Sequence, residues 1–338
     1  MRVLLTAVAH ERWWPRLERP GIEPLVLGAD GSLVLASGAG VDREGADPEV
    51  AWGTSDLFDE GAPLRPFFGL LRRSSTLRWF QSPAAGYDGA VFAELAGRGV
   101  RVSNAHVNGI PIAEYVLRAV LDHFQAAGRW RAEADAREWR LHDFREVHGT
   151  TWLVVGVGSI GGAVAARARA FGARVIGCRR HPSPDDPVDE SVTPDDLLGA
   201  LGAAGGGVVG AADVVVLSAP ATTATTGLVD ARFLAAMKPG SVLVNVARGS
   251  LVDEDALLAA LDRGAPEAAL LDVFAVEPLP ADHPFWDHPG VTVTPHNAAG
   301  GTGRHARQAE LFAENLDRYL GGRPLLNDVT ATILAEAR

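Results

Sequence analysis

The chain reads as an α/β protein made of two open parallel-sheet domains, and three observations carry that reading. Six short apolar runs, at about 151–156, 174–178, 213–217, 242–246, 268–273 and 291–294, punctuate the second half. Their length and β-branched content suit buried strands rather than helices. Helical stretches at Ile160–Phe171, Pro194–Leu201, Ala231–Met237 and Asp253–Arg263 fall between them, and such alternation builds a parallel sheet with helices on both faces. The first hundred residues repeat the alternation more faintly, and 338 residues are enough for two cores.

Taken in order, Arg2–Val8, Glu23–Leu27, Val50–Trp52, Leu77–Gln81 and Val100–Val102 are the candidate strands of a smaller first domain. A long helix over Ile112–Arg137 follows, with Pro111 near its first turn, where a missing N–H removes no bond. The six strands come next. Thr302–Leu320 has helical periodicity and no further strand to serve, so it is expected to return to the first domain. The expected division is 1–102 with 297–338 against 103–296. The stretch Gly202–Gly210, GAAGGGVVG, is low in complexity and reads as a flexible, exposed loop.

Composition excludes several classes. Apolar residues make up 47% and charged residues 22%, as in ordinary globular proteins. A formal charge of −11 argues against a nucleic-acid surface, although a local Arg can still attract a small anion. With Cys178 as the single cysteine no intramolecular disulfide forms, and a cytoplasmic setting is expected. No segment is apolar and long enough to span a bilayer, and the first residues read as a strand rather than a signal peptide. No cluster of His, Asp and Glu has metal-ligand spacing, so no metal is expected.

The segment GVGSIG follows one strand and opens a helix, the context that gives a G-x-G-x-x-G motif meaning. Gly156 permits the tight turn, Gly158 lets backbone approach a pyrophosphate, and Gly161 lets helix and strand pack closely. The first N–H groups of that helix, at Ser159 and Ile160, then face phosphate. A six-stranded Rossmann cofactor domain is the expected fold. At the end of the second strand, where a ribose-binding acid is usual, stand Arg179 and Arg180. A guanidinium binds a 2′-phosphate that a carboxylate would repel, so NADP(H) is expected, with NAD(H) open if Asp185 or Asp186 reaches the ribose instead.

Three polar residues fall just past three later strands: Arg248 after SVLVNVA, Glu277 after AALLDVFAV and His296 after VTVTP. Carboxyl ends of parallel strands face the ligand crevice, so the three converge. An imidazole exchanges a proton at neutral pH, a carboxylate beside it stabilises its charged form, and a planar guanidinium grips a carboxylate. Singly each has an ordinary explanation as a salt bridge, a turn residue or a packed loop residue. Trp52, Tyr87 and Trp286 could line a pocket or simply pack.

With these segments in hand the chain resembles the D-isomer-specific 2-hydroxyacid dehydrogenase family over nearly its whole length. The segments are GVGSIG, LSAPATTATTGLVD, MKPGSVLVNVARGSLVDEDALLAAL, LLDVFAVEPLPADHPFW and VTVTPHNAAG. The resemblance implies a catalytic triad of Arg248, Glu277 and His296, a carboxamide-binding Asp272 and a phosphate-side Thr225. Pro220 and Ala247 complete the implied cofactor contacts. SPAAGYDG resembles the substrate loop, so Ala85 and Gly86 are implied to hold the substrate carboxylate together with Arg248. It further implies a flavodoxin-like substrate domain, a hinge near 101–104 and 296–300, and a homodimer formed through the cofactor domain. Arg179 is similar to the basic residue of NADPH-preferring glyoxylate/hydroxypyruvate reductase-like members. Asn297 departs from the small or apolar residue commoner after the His. The expected function is hydride transfer between NADP(H) and a small 2-keto or D-2-hydroxy acid. The alternative is a nicotinamide-dinucleotide-sensing, co-repressor-like binding protein of the same fold.

Overall fold

A computed structural model describes residues 1–42, 44–84, 86–87, 89–202 and 205–336. The chain divides into two compact units, Met1–Val107 with Thr302–Arg338, and Asn108–Gly301. Both division points lie five residues beyond those expected, at 107 rather than 102 and at 301 rather than 296.

The first unit holds strands β1 (Arg2–Thr6), β2 (Glu23–Leu27), β3 (Leu33–Leu35), β4 (Val50–Trp52), β5 (Trp79–Gln81) and β6 (Arg101–Ser103). Their order is β3-β2-β1-β4-β5-β6. The five parallel members thus run second, first, third, fourth, fifth, the flavodoxin order. Strand β3 pairs antiparallel with β2 at the edge, so this sheet is mixed. This edge strand, Leu-Val-Leu, is absent from the sequence expectation. Strand β1 stops two residues short of the expected Val8 because Thr6 Oγ1 accepts from the Ala9 N–H at 3.1 Å and caps the helix Ala7–Leu17. The helix Arg304–Leu320 sends Phe312 between Trp52 and Trp79, with ring centroids 4.7 and 5.2 Å away. Trp52, 1% exposed, is therefore a core residue and lines nothing.

The second unit holds β7 (Thr151–Val155), β8 (Arg174–Cys178), β9 (Glu190–Val192), β10 (Val214–Leu217), β11 (Val242–Asn245), β12 (Ala268–Leu271) and β13 (Val291–Val293). They form one parallel sheet in the order β13-β12-β11-β10-β7-β8-β9. The sheet has seven strands, not six. The missed strand, β9, is Glu-Ser-Val on the outer edge, so it carries no apolar signal. The topological switch lies between β7 and β10, the place where open α/β sheets bind ligands. Strands β10, β11 and β12 are buried at every residue, as helices on both faces require.

Two other expectations fail. The long helix is two, Gly109–Phe124 and Ala127–Asp135, broken where Ala126 takes a left-handed φ of +50°. The first buries nine residues, the second none, so only the first is fixed by packing. Gly202–Gly210 is not simply an exposed loop. Gly207–Ala211 forms a short helix with Val209 buried, and a Cβ at Gly206 would sit 2.5 Å from the Ala236 carbonyl oxygen. Its glycines serve close packing there. Ala203 and Ala204 lie outside the described residues. Among the described residues no helix is long and apolar enough to cross a membrane.

Candidate active site

The turn after β7 is made of backbone. Gly156 has φ +98°, and a Cβ there would lie 2.5 Å from the Ala219 nitrogen, in the chain leaving β10. A Cβ on Gly161 would fall 2.0 Å from the Gly156 oxygen. Both positions exclude any side chain. Gly158 differs: it has an extended conformation and nothing within 4 Å of a Cβ, so its missing side chain leaves open space. It offers no side-chain cap to the helix Ser159–Ala170. The first N–H groups, those of Ser159 and Ile160 among them, are thus left for an external acceptor. Open space above uncapped donors fits a dinucleotide pyrophosphate.

Around this turn stand other expected contacts. Pro220 and Ala247 follow β10 and β11 on the same carboxyl edge. Thr225 Oγ1 donates to the Pro220 carbonyl at 2.6 Å and accepts from the Thr222 N–H at 2.8 Å, so its hydroxyl shapes its own turn. Arg179 follows β8 and pairs with Asp186, Nη1 to Oδ1 at 2.6 Å, while Asp186 Oδ2 accepts from the Ser183 N–H at 2.9 Å. The two readings of this loop, guanidinium or carboxylate at the ribose, meet in one ion pair. Arg180 is exposed beside it.

The three polar residues come from the edge formed by β11, β12 and β13. Arg248 follows β11, and Asn245 holds its turn by accepting from the Ala247 N–H at 3.0 Å and donating to the Arg248 carbonyl at 2.9 Å. Gly249 is compulsory, because a Cβ would lie 1.8 Å from the Phe274 carbonyl carbon. That close approach packs the Arg248 turn onto the loop carrying Glu277. Glu277 uses both oxygens: Oε1 accepts from the Phe274 N–H at 3.0 Å and Oε2 lies 2.7 Å from His296 Nδ1. A carboxylate can only accept, so Nδ1 carries the proton and Nε2 is the nitrogen left for chemistry. The imidazole is 51% exposed.

Residues 117–298 match the family described as D-isomer specific 2-hydroxyacid dehydrogenase, NAD binding domain. The chain belongs to that family. It is 37% identical over 263 residues, 75% of this chain and 47% of the relative, to a D-3-phosphoglycerate dehydrogenase of Mycobacterium leprae. The chain spans about half the length of the first curated relatives it matches. Among solved structures it is similar to a D-isomer specific 2-hydroxyacid dehydrogenase family protein of Aeromonas salmonicida, with TM-score 0.77, 30% identity and 97% of each chain covered. It is also similar to an NADPH-dependent glyoxylate/hydroxypyruvate reductase of Sinorhizobium meliloti in complex with NADP and sulfate. There the TM-score is 0.73, identity 25%, and coverage 98% of this chain and 99% of that one.

Asp272 lies under the His296 turn. It is 2% exposed, and its oxygens accept from Thr294 Oγ1 at 2.5 Å, the Asn297 N–H at 2.9 Å and the Ala298 N–H at 2.8 Å. The carboxylate implied to bind the carboxamide also holds the turn that carries His296. Asn297, the departure from the family pattern, enters that turn through its backbone. Gly86 follows β5 in the first unit, and Ala85 lies outside the described residues. Sequence reasoning missed Asn245, Thr294 and Tyr115. The first had a readable signal, a polar residue closing the fully buried strand VLVN.

Proposed function

We propose that this chain is an NADP(H)-dependent reductase of a small 2-keto acid, of the glyoxylate/hydroxypyruvate type, forming a D-2-hydroxy acid. The observation that carries this reading is the 2.7 Å contact between Glu277 and His296 on the same sheet edge as Arg248. A bound reduced nicotinamide supplies hydride to the keto carbon. Arg248 grips the substrate carboxylate and carbonyl in its planar fork, holding the carbon in near-attack geometry. His296 Nε2 gives its proton to the carbonyl oxygen as negative charge develops there. Nδ1–H stays bonded to Glu277, which fixes the ring and favours its charged form before the transfer. Gly158, Ser159 and Ile160 would hold the pyrophosphate through backbone, on the turn that Gly156 and Gly161 keep free of side chains, and Arg179 with Arg180 would take the 2′-phosphate. Supporting the cofactor preference is the basic pair itself, together with the NADP named for the Sinorhizobium meliloti relative. A homodimer is supported by the segment after Phe124, whose helix buries nothing and whose Trp139 is 94% exposed.

Initial rates with NADPH and NADH, using glyoxylate, hydroxypyruvate and phenylpyruvate, test the proposal, with D-3-phosphoglycerate as reductant in the reverse direction. We expect NADPH to be preferred by about tenfold or more, and Arg179→Ala to erase that preference, as a lost charge-assisted phosphate contact should. Equal rates with NADH would sink the cofactor assignment and leave the triad standing. Preferential oxidation of D-3-phosphoglycerate would reassign the substrate. Saturable cofactor binding without turnover would favour the sensor.

A further inference from the structure

A chain of hydrogen bonds runs from the helix Gly109–Phe124 to the His296 turn, and the proposed reaction uses neither of its first two members. Tyr115 Oη lies 2.7 Å from Thr294 Oγ1, and Thr294 Oγ1 donates to Asp272 Oδ1 at 2.5 Å. A hydroxyl has one proton. With Thr294 spending its proton on Asp272, the bond to Tyr115 must come from the phenol. Burial pushes the Tyr115 pKa up, which keeps that proton in place.

Asp272 passes the order on. Its carboxylate accepts the N–H groups of Asn297 and Ala298, and its own carbonyl accepts the His296 N–H at 2.8 Å. Three consecutive backbone donors, 296 to 298, therefore end on one residue. They hold a turn that needs holding. His296 has φ +51°, a left-handed conformation whose strain in a non-glycine residue its surroundings must offset. No glycine could replace it, because the side chain is the point of the turn.

We propose that Tyr115 and Thr294 are positioning residues that fix His296, by orienting the Asp272 carboxylate that grips the His296 turn. The kinetic consequence rests on the acid–base reading of His296, but the positioning itself does not. Without the Thr294 proton the carboxylate can rotate away from the Asn297 and Ala298 amides. Without the phenol, Thr294 loses the donor that sets its own rotamer.

The test uses full-length Thr294→Val, Thr294→Ser, Tyr115→Phe and the double variant Tyr115→Phe/Thr294→Val. Amide exchange over residues 296–298 is followed by mass spectrometry, beside kcat and KM with glyoxylate and NADPH. Thr294→Val should speed exchange about tenfold and lower kcat by roughly 10–30-fold, as loosened near-attack geometry would, with KM for NADPH within about twofold. Thr294→Ser should recover most of both, and Tyr115→Phe should cost kcat about threefold. The double variant should be no worse than Thr294→Val alone, since both act through one chain. Wild-type exchange in Thr294→Val, or multiplying losses in the double variant, overturns the proposal. A lower melting temperature with unchanged kcat and exchange would mark the pair as merely structural and overturn it equally. If the wild-type chain reduces no keto acid, the proposed reaction falls, and exchange alone then decides the positioning.

Discussion

Two turns on the carboxyl edge of the same seven-stranded sheet are built in opposite ways. The turn after β7 works by leaving side chains out: Gly156 and Gly161 have no room for a Cβ, and Gly158 leaves the space a ligand would enter. The turn after β13 works by holding one side chain, His296, in a backbone conformation ordinarily left to glycine. It succeeds because Asp272 accepts three of its backbone and side-chain donors from inside the protein and a fourth through its carbonyl. Binding by backbone is a local device, whereas aiming a proton donor draws on residues 115, 272, 277 and 294. The difference teaches where each kind of turn is fragile.

The largest effect should come from the second turn. His296→Ala should lower kcat by about 10²–10⁴-fold, the usual share of a general acid, while fluorescence titration finds NADPH affinity within about twofold. Loss of cofactor binding would break the contrast by making both turns one site.

Next comes a pair of substitutions within the first turn. Gly156→Ala must place a Cβ against the Ala219 backbone at φ +98°. That should cost about 3 kcal/mol and roughly 10 °C of Tm. Gly158→Ala meets no protein atom. It should lose only about 1 kcal/mol and roughly 2–4 °C of Tm, the preference of a helix N-cap for glycine over alanine, yet weaken NADPH binding tenfold or more by filling the pyrophosphate space. Equal NADPH affinity in Gly158→Ala would remove the ligand from that space.

The smallest effect concerns Cys178, whose carbonyl accepts from the Gly156 N–H at 2.8 Å. Burial first, and Asp196 second, push its thiol from 9.0 to about 11. The neutral thiol therefore contributes stability that is fully present below pH 9 and is lost as pH rises through about 11. At pH 8 the native thiol should react with Ellman's reagent far more slowly than in denaturant, and Cys178→Ala should leave kcat within about twofold, since only its backbone serves the turn. Fast native labelling would show the strand end to be open.

Much of the second unit was legible because buried parallel strands must be continuous apolar runs, and six of its seven strands were read within a residue or two. Strand β9 escaped for the converse reason: an edge strand of Glu, Ser and Val needs no apolar run. The Gly202–Gly210 stretch misled because low complexity looks the same whether glycines give freedom or close packing. Arg179 and Asp186 were read as rivals since nothing in a sequence says that residues seven apart form an ion pair.

The sequence by itself determined the α/β class, the glycine turn, and the three residues at the ends of β11, β12 and β13. Each of those follows from local rules: strand length, glycine spacing, and the place of a polar residue just past an apolar run. Only the tertiary structure decided that Glu277 meets His296 at 2.7 Å and that Asp272 is buried under the His296 turn. It alone decided that Tyr115, 179 residues before Thr294, reaches that threonine. A hydrogen bond acts over about 3 Å in space and has no period along the chain, so no pattern in the sequence records it.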